Sequence, residues 1–200
     1  RIYKKWGSGA IDVIKRNPYI LCDEIHGIGF EKADNVARSL GIENYKEERI
    51  KAGVKYLLFY NGTQNGHMFL PLDKLVSAVT QTLATDEDMA LNAIEELVSL
   101  NQIVIKKYNG RSCVYLQNYY EAEKYVSEKL QMLDNFCPKI ETSDIGRMII
   151  RIESEFGVEY AAMQKKAIVN SVNNGVMVLT GGPGTGKTTV IRAVIRVFEE

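Results

Sequence analysis

The sequence predicts a mainly α-helical chain with one small β-hairpin, followed by the start of a phosphate-binding-loop (P-loop) α/β domain. Three observations predict it. Apolar residues recur at helical spacing along most of the length. An Asn-Gly pair, Asn109-Gly110, lies between the apolar runs Ile103-Val104-Ile105 and Val114-Tyr115-Leu116. Near the end, the apolar run Val176–Thr180 enters a glycine-rich loop, Gly181–Thr188. The 200 residues, 46% hydrophobic and 25% charged, leave room for one or two domains and exclude wholesale disorder. No apolar run approaches the ~20 residues of a membrane span, and no basic-then-apolar leader is visible.

Taken in order, residues 2–16 read as helix interrupted at Gly7-Ser8-Gly9. Asn17-Pro18 reads as an N-cap and first helical position, opening a short helix over about 18–23. A second helix over 31–40 ends at Gly41, with Ala33 and Ala37 on one face where a neighbour can approach closely. Residues 48–60 form an amphipathic helix, and Asn61-Gly62 with Asn65-Gly66 bracket a loop. Leu72, Leu75, Val76, Val79 and Leu83 trace another helix, and Thr85 with Asp88 reads as the capping box of a helix over 86–100. Two helices and then the Asn109-Gly110 hairpin give the order of a winged helix. Helices over 119–133 and 141–156, separated near Pro138, precede the buried strand Val176–Thr180 and a final helix over 188–199. The expected domains are 1–48, a helical region around a glycine hairpin; 49–118, winged-helix-like; 119–160, connecting helices; and 161–200, the start of the P-loop domain.

The net charge of zero is unevenly spread. Residues 1–60 carry 11 Lys and Arg against 8 acids, residues 61–163 carry 9 against 15, and residues 164–200 carry 5 against 2. Basic ends suit polyanion contacts, and the acidic middle suits a protein partner. Cys22, Cys113 and Cys137 lack the spacing of a disulfide framework or zinc site, His26 and His67 read as turn residues, and a reducing cytoplasm is the expected compartment. The chain starts at Arg1 and stops at Glu199-Glu200 inside an apolar helical pattern, the look of a piece of a larger protein.

Gly181-Gly182-Pro183-Gly184-Thr185-Gly186-Lys187-Thr188 satisfies the pattern G-x-x-x-x-G-K-[ST]. Glycines let consecutive N–H groups, here about Gly184 to Thr188, converge on phosphate oxygens, and the following helix adds its positive end. Lys187 is placed for the β- and γ-phosphates of ATP, the Thr188 hydroxyl for Mg²⁺, and Thr189 for the α-phosphate. The plainer reading is a glycine-rich turn between strand and helix. Only 12 residues follow Thr188, so the acid that completes Mg²⁺ binding and the arginine finger are absent, and no ATPase turnover is expected from this chain by itself. Gln164, 17 residues before Gly181, has the paired donor and acceptor that can read adenine, or is a solvated helix residue.

Ile25-His26-Gly27-Ile28-Gly29-Phe30, followed by Ala33 and Ala37, resembles the helix-hairpin-helix DNA-binding motif. The backbone at Gly27, Ile28 and Gly29 can approach a phosphodiester, with Lys32 adding charge, to give salt-sensitive contacts that read no base. A tight helix corner, or a protein-docking hairpin, is the alternative. The helix over 86–100 carries Asp86, Glu87, Asp88, Glu95 and Glu96 and no cation, unlike a helix that faces phosphates. That region therefore reads as a structural or interaction module, with Lys106, Lys107 and Arg111 at its hairpin as the exception.

Asn17-Pro18-Tyr19 leading into Gly27-Ile28-Gly29 and Ala33-Asp34, the segment from Gly66-His67 to Leu70-Pro71, and Gln164 with Gly181–Thr189 together resemble the RecD-like (RecD/TraA) DNA helicases of superfamily 1B, in the branch with an N-terminal helix-hairpin-helix extension. The resemblance implies a RecA-like motor domain beginning near residue 161 and ATP-driven 5′→3′ movement on single-stranded DNA, or at a single-strand/duplex junction, in repair or recombination. It further implies a glutamine on adenine at Gln164, the first helicase motif at Gly184, Gly186, Lys187, Thr188 and Thr189, and DNA-facing glycines at Gly27 and Gly29. The rivals are a DNA- or protein-docking module without a motor role, and a different P-loop ATPase such as a clamp-loader relative.

Overall fold

Helices account for most of the chain, and the computed structural model describes residues 1–41 and 46–199 of it. Glu200, at the end of the apolar pattern, lies outside the described residues. The chain divides into two compact units, Arg1–Ala122 and Glu123–Glu200.

The first unit opens with α1 (Ile2–Trp6), a 3-10 turn at Gly7–Gly9 and α2 (Ala10–Arg16), so the glycines interrupt the helix where the sequence places the break. Asn17 ends α2 and is not the N-cap of the next helix that the sequence suggests; its Oδ1 accepts the Tyr19 N–H at 2.9 Å across the turn between them. The chain makes a turn through Pro18 and Tyr19 before α3 (Ile20–Glu24), so that helix begins two residues later than expected. After the glycine hairpin, α4 (Phe30–Ser39) buries Phe30, Ala33, Asp34 and Ala37.

Helix α5 (Lys46–Asn65) is the spine of this unit and runs through the loop expected at Asn61-Gly62. Asn61 turns its amide onto the Leu57 carbonyl (2.9 Å) and accepts from Asn65 (3.0 Å), so both asparagines bond within the helix rather than competing with it. Gly62 is there for packing: a Cβ at that position would lie 2.5 Å from the Tyr119 ring. At Gly53 the same atom would lie 2.4 Å from Leu83 Cδ1. The helix ends at Asn65, before Gly66.

A short strand that the sequence reading missed, β1 (Phe69–Pro71), precedes α6 (Leu72–Leu83) and α7 (Glu87–Ser99). The cap of α7 is Asp86, whose carboxylate accepts the Met89 N–H at 2.8 Å. The expected cap, Thr85, instead buries its hydroxyl without a hydrogen-bond partner. Strands β2 (Ile103–Tyr108) and β3 (Arg111–Leu116) meet at Asn109 and Gly110, both with positive φ (49° and 80°), as an Asn-Gly hairpin requires. The sheet order is β1-β3-β2, antiparallel throughout, with Phe69 opposite Tyr115 and Ile105 opposite Val114. Apolar residues of α3 to α7 close on Ile103 and Val114 to form one core.

Helix α8 (Gln117–Asn135) contains the boundary between the units and buries none of its residues. In the second unit, α9 (Thr142–Phe156), α10 (Ala162–Asn173) and α11 (Lys187–Phe198) pack around Ile145, Ile149, Ile152, Tyr160, Ile168, Val172, Val190, Ala193 and Val197. The buried strand expected at Val176–Thr180 does not form: no residue there is in a sheet, and Val178 is 85% exposed. Leu179 does pack against the core. The reason is that an isolated strand leaves its N–H and C=O groups unpaired, and this unit has no other strand among its described residues. No helix among the described residues is long and apolar enough to cross a membrane.

Candidate functional site

Two glycine turns, one in each unit, present backbone to solvent. In the first, buried Ile25 and Phe30 anchor the two sides of the turn, and the Ile28 N–H donates to the Ile25 carbonyl at 3.0 Å. Gly27 sits at φ 91°, a conformation that a side chain disfavours, so glycine is required there. Gly29 is extended, caps α4, and receives the Ala33 N–H on its carbonyl at 3.2 Å. Gly27 and Gly29 are exposed and Ile28 is half-buried. Lys32 folds back onto the Gly27 carbonyl (3.1 Å), and Arg1 donates to the His26 carbonyl (2.8 Å). Arg1, which sequence reading did not single out, thus joins Lys32 beside the turn; nothing in its sequence position signals this.

Close to the hairpin in the chain lies a buried charged hub. Asp34, 5% exposed, accepts from the Tyr19 hydroxyl (2.6 Å) and Arg49 Nε (2.8 Å) on one oxygen, and from Arg38 (2.8 Å) on the other. Arg49 also donates to the Leu83 carbonyl at 2.9 Å, so one guanidinium ties α4 to α5 and the end of α6. Burial pushes the Asp34 carboxyl up, but the hydrogen bonds from Arg49, Tyr19 and Arg38 outweigh it and hold the group below the usual carboxylate range. Burial, then the bond to Asp34, drives the Tyr19 hydroxyl well above the ordinary phenol value. The readable signal was a carboxylate among Phe30, Ala33 and Ala37 on the apolar face of a helix. Lys55, from the next turns of α5, pairs with Asp23 at 2.6 Å.

The second turn is the loop Gly181–Gly186. Gly184 and Gly186 have φ of 74° and 80°, and Gly186 is the N-cap of α11. The first bond of that helix runs from the Val190 N–H to the Gly186 carbonyl (3.0 Å), leaving the N–H groups of Lys187, Thr188 and Thr189 outside the helical ladder. The Thr185 hydroxyl donates to the Gly182 carbonyl (2.9 Å), and Lys187 Nζ reaches the carbonyls of Gly181 (2.8 Å) and Gly182 (2.6 Å). Pro183 lies in the exposed turn between them. Gln164 rides on the first turn of α10, where its Oε1 accepts the Ala161 N–H (2.9 Å) and its Nε2 donates to the Thr185 carbonyl (3.3 Å). A Cβ on Gly186 would lie 2.4 Å from that Nε2. Glu153 fixes the approach to α10 by accepting the Tyr160 N–H (2.6 Å) and pairing with Lys165 (2.9 Å); the Lys165 hydrogen bond is the main cause that lowers its pKa. The structure therefore brings Gln164, the glycines, Lys187 and Thr188 to one loop. Orphan N–H donors, a cation and hydroxyls beside it form a donor set that fits a polyphosphate and its Mg²⁺.

Comparison with known proteins covers both turns. Residues 1–69 match the family model described as the ATP-dependent RecD2 DNA helicase HHH domain, and residues 164–200 match one described as an AAA domain. The chain is 27% identical over 208 residues to the ATP-dependent RecD2 DNA helicase of Deinococcus radiodurans, covering all of this chain and 28% of that protein. It is 25% identical over 148 residues to the RecBCD enzyme subunit RecD of Buchnera aphidicola, covering 66% of this chain and 24% of that one. With the RecD subunit of Mycolicibacterium smegmatis it shares 30% over 115 residues, 58% of this chain and 19% of the relative. The chain thus spans between 19% and 28% of the length of these curated relatives.

Proposed function

We propose, from the premise that this chain is RecD-like in both its helix-hairpin-helix and its P-loop segments, that it is the N-terminal part of an ATP-dependent 5′→3′ DNA helicase working in repair or recombination in the cytoplasm. The observation that carries the reading is the joint presence, in one chain, of a glycine hairpin flanked by cations and a P-loop whose glycine Gly186 sits against Gln164.

In this reading ATP supplies a phosphoanhydride whose charge Mg²⁺ shares. Gly181, Gly182, Pro183, Gly184, Thr185 and Gly186 shape the loop, and the N–H groups of Lys187, Thr188 and Thr189 face the phosphates. Lys187 leaves the loop carbonyls for the β- and γ-oxygens, Thr188 ligates Mg²⁺, and Gln164 reads adenine. Gly27, Ile28, Gly29 and Lys32 grip the backbone of single-stranded DNA or of a junction without reading bases. The order helix, strand, two helices, hairpin from α5 to β3 supports a winged-helix module over 49–118 between the hairpin region, 1–48, and the connecting helices, 119–160. A RecA-like motor domain begins near 161. The acidic helix of that module, where Glu96 pairs with Lys51, is the surface for a protein partner.

The test is anisotropy of labelled single-stranded DNA with this chain at low and moderate salt, beside a Gly27→Val/Gly29→Val variant checked for helicity. Salt-sensitive binding that the variant loses, by tenfold or more, is expected; the absence of binding at low salt from a folded chain would remove the DNA grip.

A further inference from the structure

The two faces of the small sheet differ in chemistry. Strand alternation sends Ile105 and Val114 to the core and Lys106, Tyr108, Arg111 and Tyr115 to the other side, where β1 adds Phe69. On that outer face the rings are continuous. Centroids lie 5.1 Å apart for Phe69 and Tyr115, 6.3 Å for Tyr108 and Tyr115, and 6.4 Å for Phe69 and Tyr108. Tyr115 is buried beneath the others, which leaves Phe69 38% and Tyr108 47% exposed. At the other margin Tyr120 stacks edge-on against Tyr115, with Lys106 Nζ 5.0 Å from its ring centre.

The hairpin that carries Tyr108 and Tyr115 is basic. Lys106, Lys107 and Arg111 fall within six positions of the hairpin, and among the described residues none of them makes an ion pair. They do so within a stretch, 61–163, that otherwise favours acids. Exposed planar rings bordered by unpaired cations complement one polymer chemistry: flat bases joined by phosphates.

We propose that the outer face of the β1-β3-β2 sheet is a stacking platform for single-stranded DNA, with bases against Phe69 and Tyr108 and phosphates toward Lys106 and Arg111. This rests on the reading of the chain as one that contacts DNA, but it uses residues separate from the glycine hairpin and the P-loop. Binding here tolerates any base, because every base has a π-face, and weakens with salt.

The experiment uses the 200-residue chain carrying Tyr108→Trp, which adds one reporter to the single native Trp6. Titration with an oligothymidylate of about 15 nucleotides, within the range such sites span, is followed by tryptophan emission and by anisotropy together. Quenching that saturates with the oligonucleotide, and that the unsubstituted chain lacks, is expected. Phe69→Ala and Tyr108→Leu should each weaken binding about tenfold, the leucine keeping an apolar side chain so that folding is preserved. Lys106→Gln/Arg111→Gln should flatten the slope of log affinity against log salt by about 1.4. Unchanged emission while anisotropy still reports binding that Gly27→Val/Gly29→Val abolishes would overturn the platform and leave the hairpin reading standing. No binding by either signal would overturn both. Emission that follows protein concentration but ignores DNA would assign the face to a protein contact and likewise overturn the platform.

Discussion

The hairpin at Gly27–Gly29 and the loop at Gly181–Gly186 expose backbone by the same device, but they are supported differently. Close to the hairpin in the chain sits a carboxylate with three donors that join the turn before α3 to α4, α5 and the end of α6, on a core that extends through the sheet. Under the loop, the preceding segment pairs with no strand, and the loop is held by contacts near the surface: Gln164 on Thr185, Thr185 on Gly182, and Lys187 on two carbonyls. Local glycine geometry is therefore written into each motif, whereas rigidity depends on what lies below it.

The most damaging way to break the contrast is Asp34→Ala. It strands Arg49 and the Tyr19 hydroxyl, and removing one partner of a buried ion pair costs about 3–5 kcal/mol. Thermal unfolding followed by circular dichroism should show a large loss of stability in the first unit. The same hub sets a pH dependence. Because the folded carboxyl is held below its usual range, its contribution is full above about pH 5 and is lost as pH falls below about 4 and through the folded value. Acid titration of the Asp34→Asn variant should lack that component.

A smaller and more local effect is expected at the loop. Gly186→Ala places a Cβ at positive φ and against Gln164, at a strain of about 1–3 kcal/mol. Binding of a fluorescent ATP analogue should fall by roughly tenfold or more with little change in helical content. If instead the whole chain melts, the loop is tied to its core more firmly than its contacts suggest.

The smallest effects sharpen the reading of α7. Asp86→Ala should cost about 1 kcal/mol by removing the cap, whereas Thr85→Val, which replaces a buried hydroxyl that bonds to nothing, should be neutral or slightly stabilising in the same melts.

These last two residues show where sequence reading stopped. Ser/Thr followed three positions later by an acid is a sound capping pattern, but Asp86 offers a carboxylate one residue further on, and the chain uses it. The Asn109-Gly110 turn was legible because both residues must take positive φ, a local requirement. The P-loop was legible for the same reason at Gly186. Asn61-Gly62 misled because the glycine answers to Tyr119, more than fifty positions away, and not to its own backbone. The three-residue β1 was missed because its partner, β3, lies on the far side of two helices in sequence. Val176–Thr180 has the composition of a buried strand, but pairing decides whether composition becomes structure. Among the site residues, the glycines and Lys187 announced themselves, whereas Arg1 and the two arginines on Asp34 became visible only through folding.

Helix α5 gives the first unit a ruler. Its 20 residues make a rod about 30 Å long. Lys55 clasps the helix that leads into the hairpin, and seven residues on, about 10 Å along the axis, Gly62 seats the ring of Tyr119 beside the sheet. No glycine in left-handed geometry and no proline interrupts the rod between those marks. A pull on the hairpin would therefore reach the sheet undamped, and a strand drawn across both surfaces would meet two grips at a fixed interval, like the sprockets of one gear.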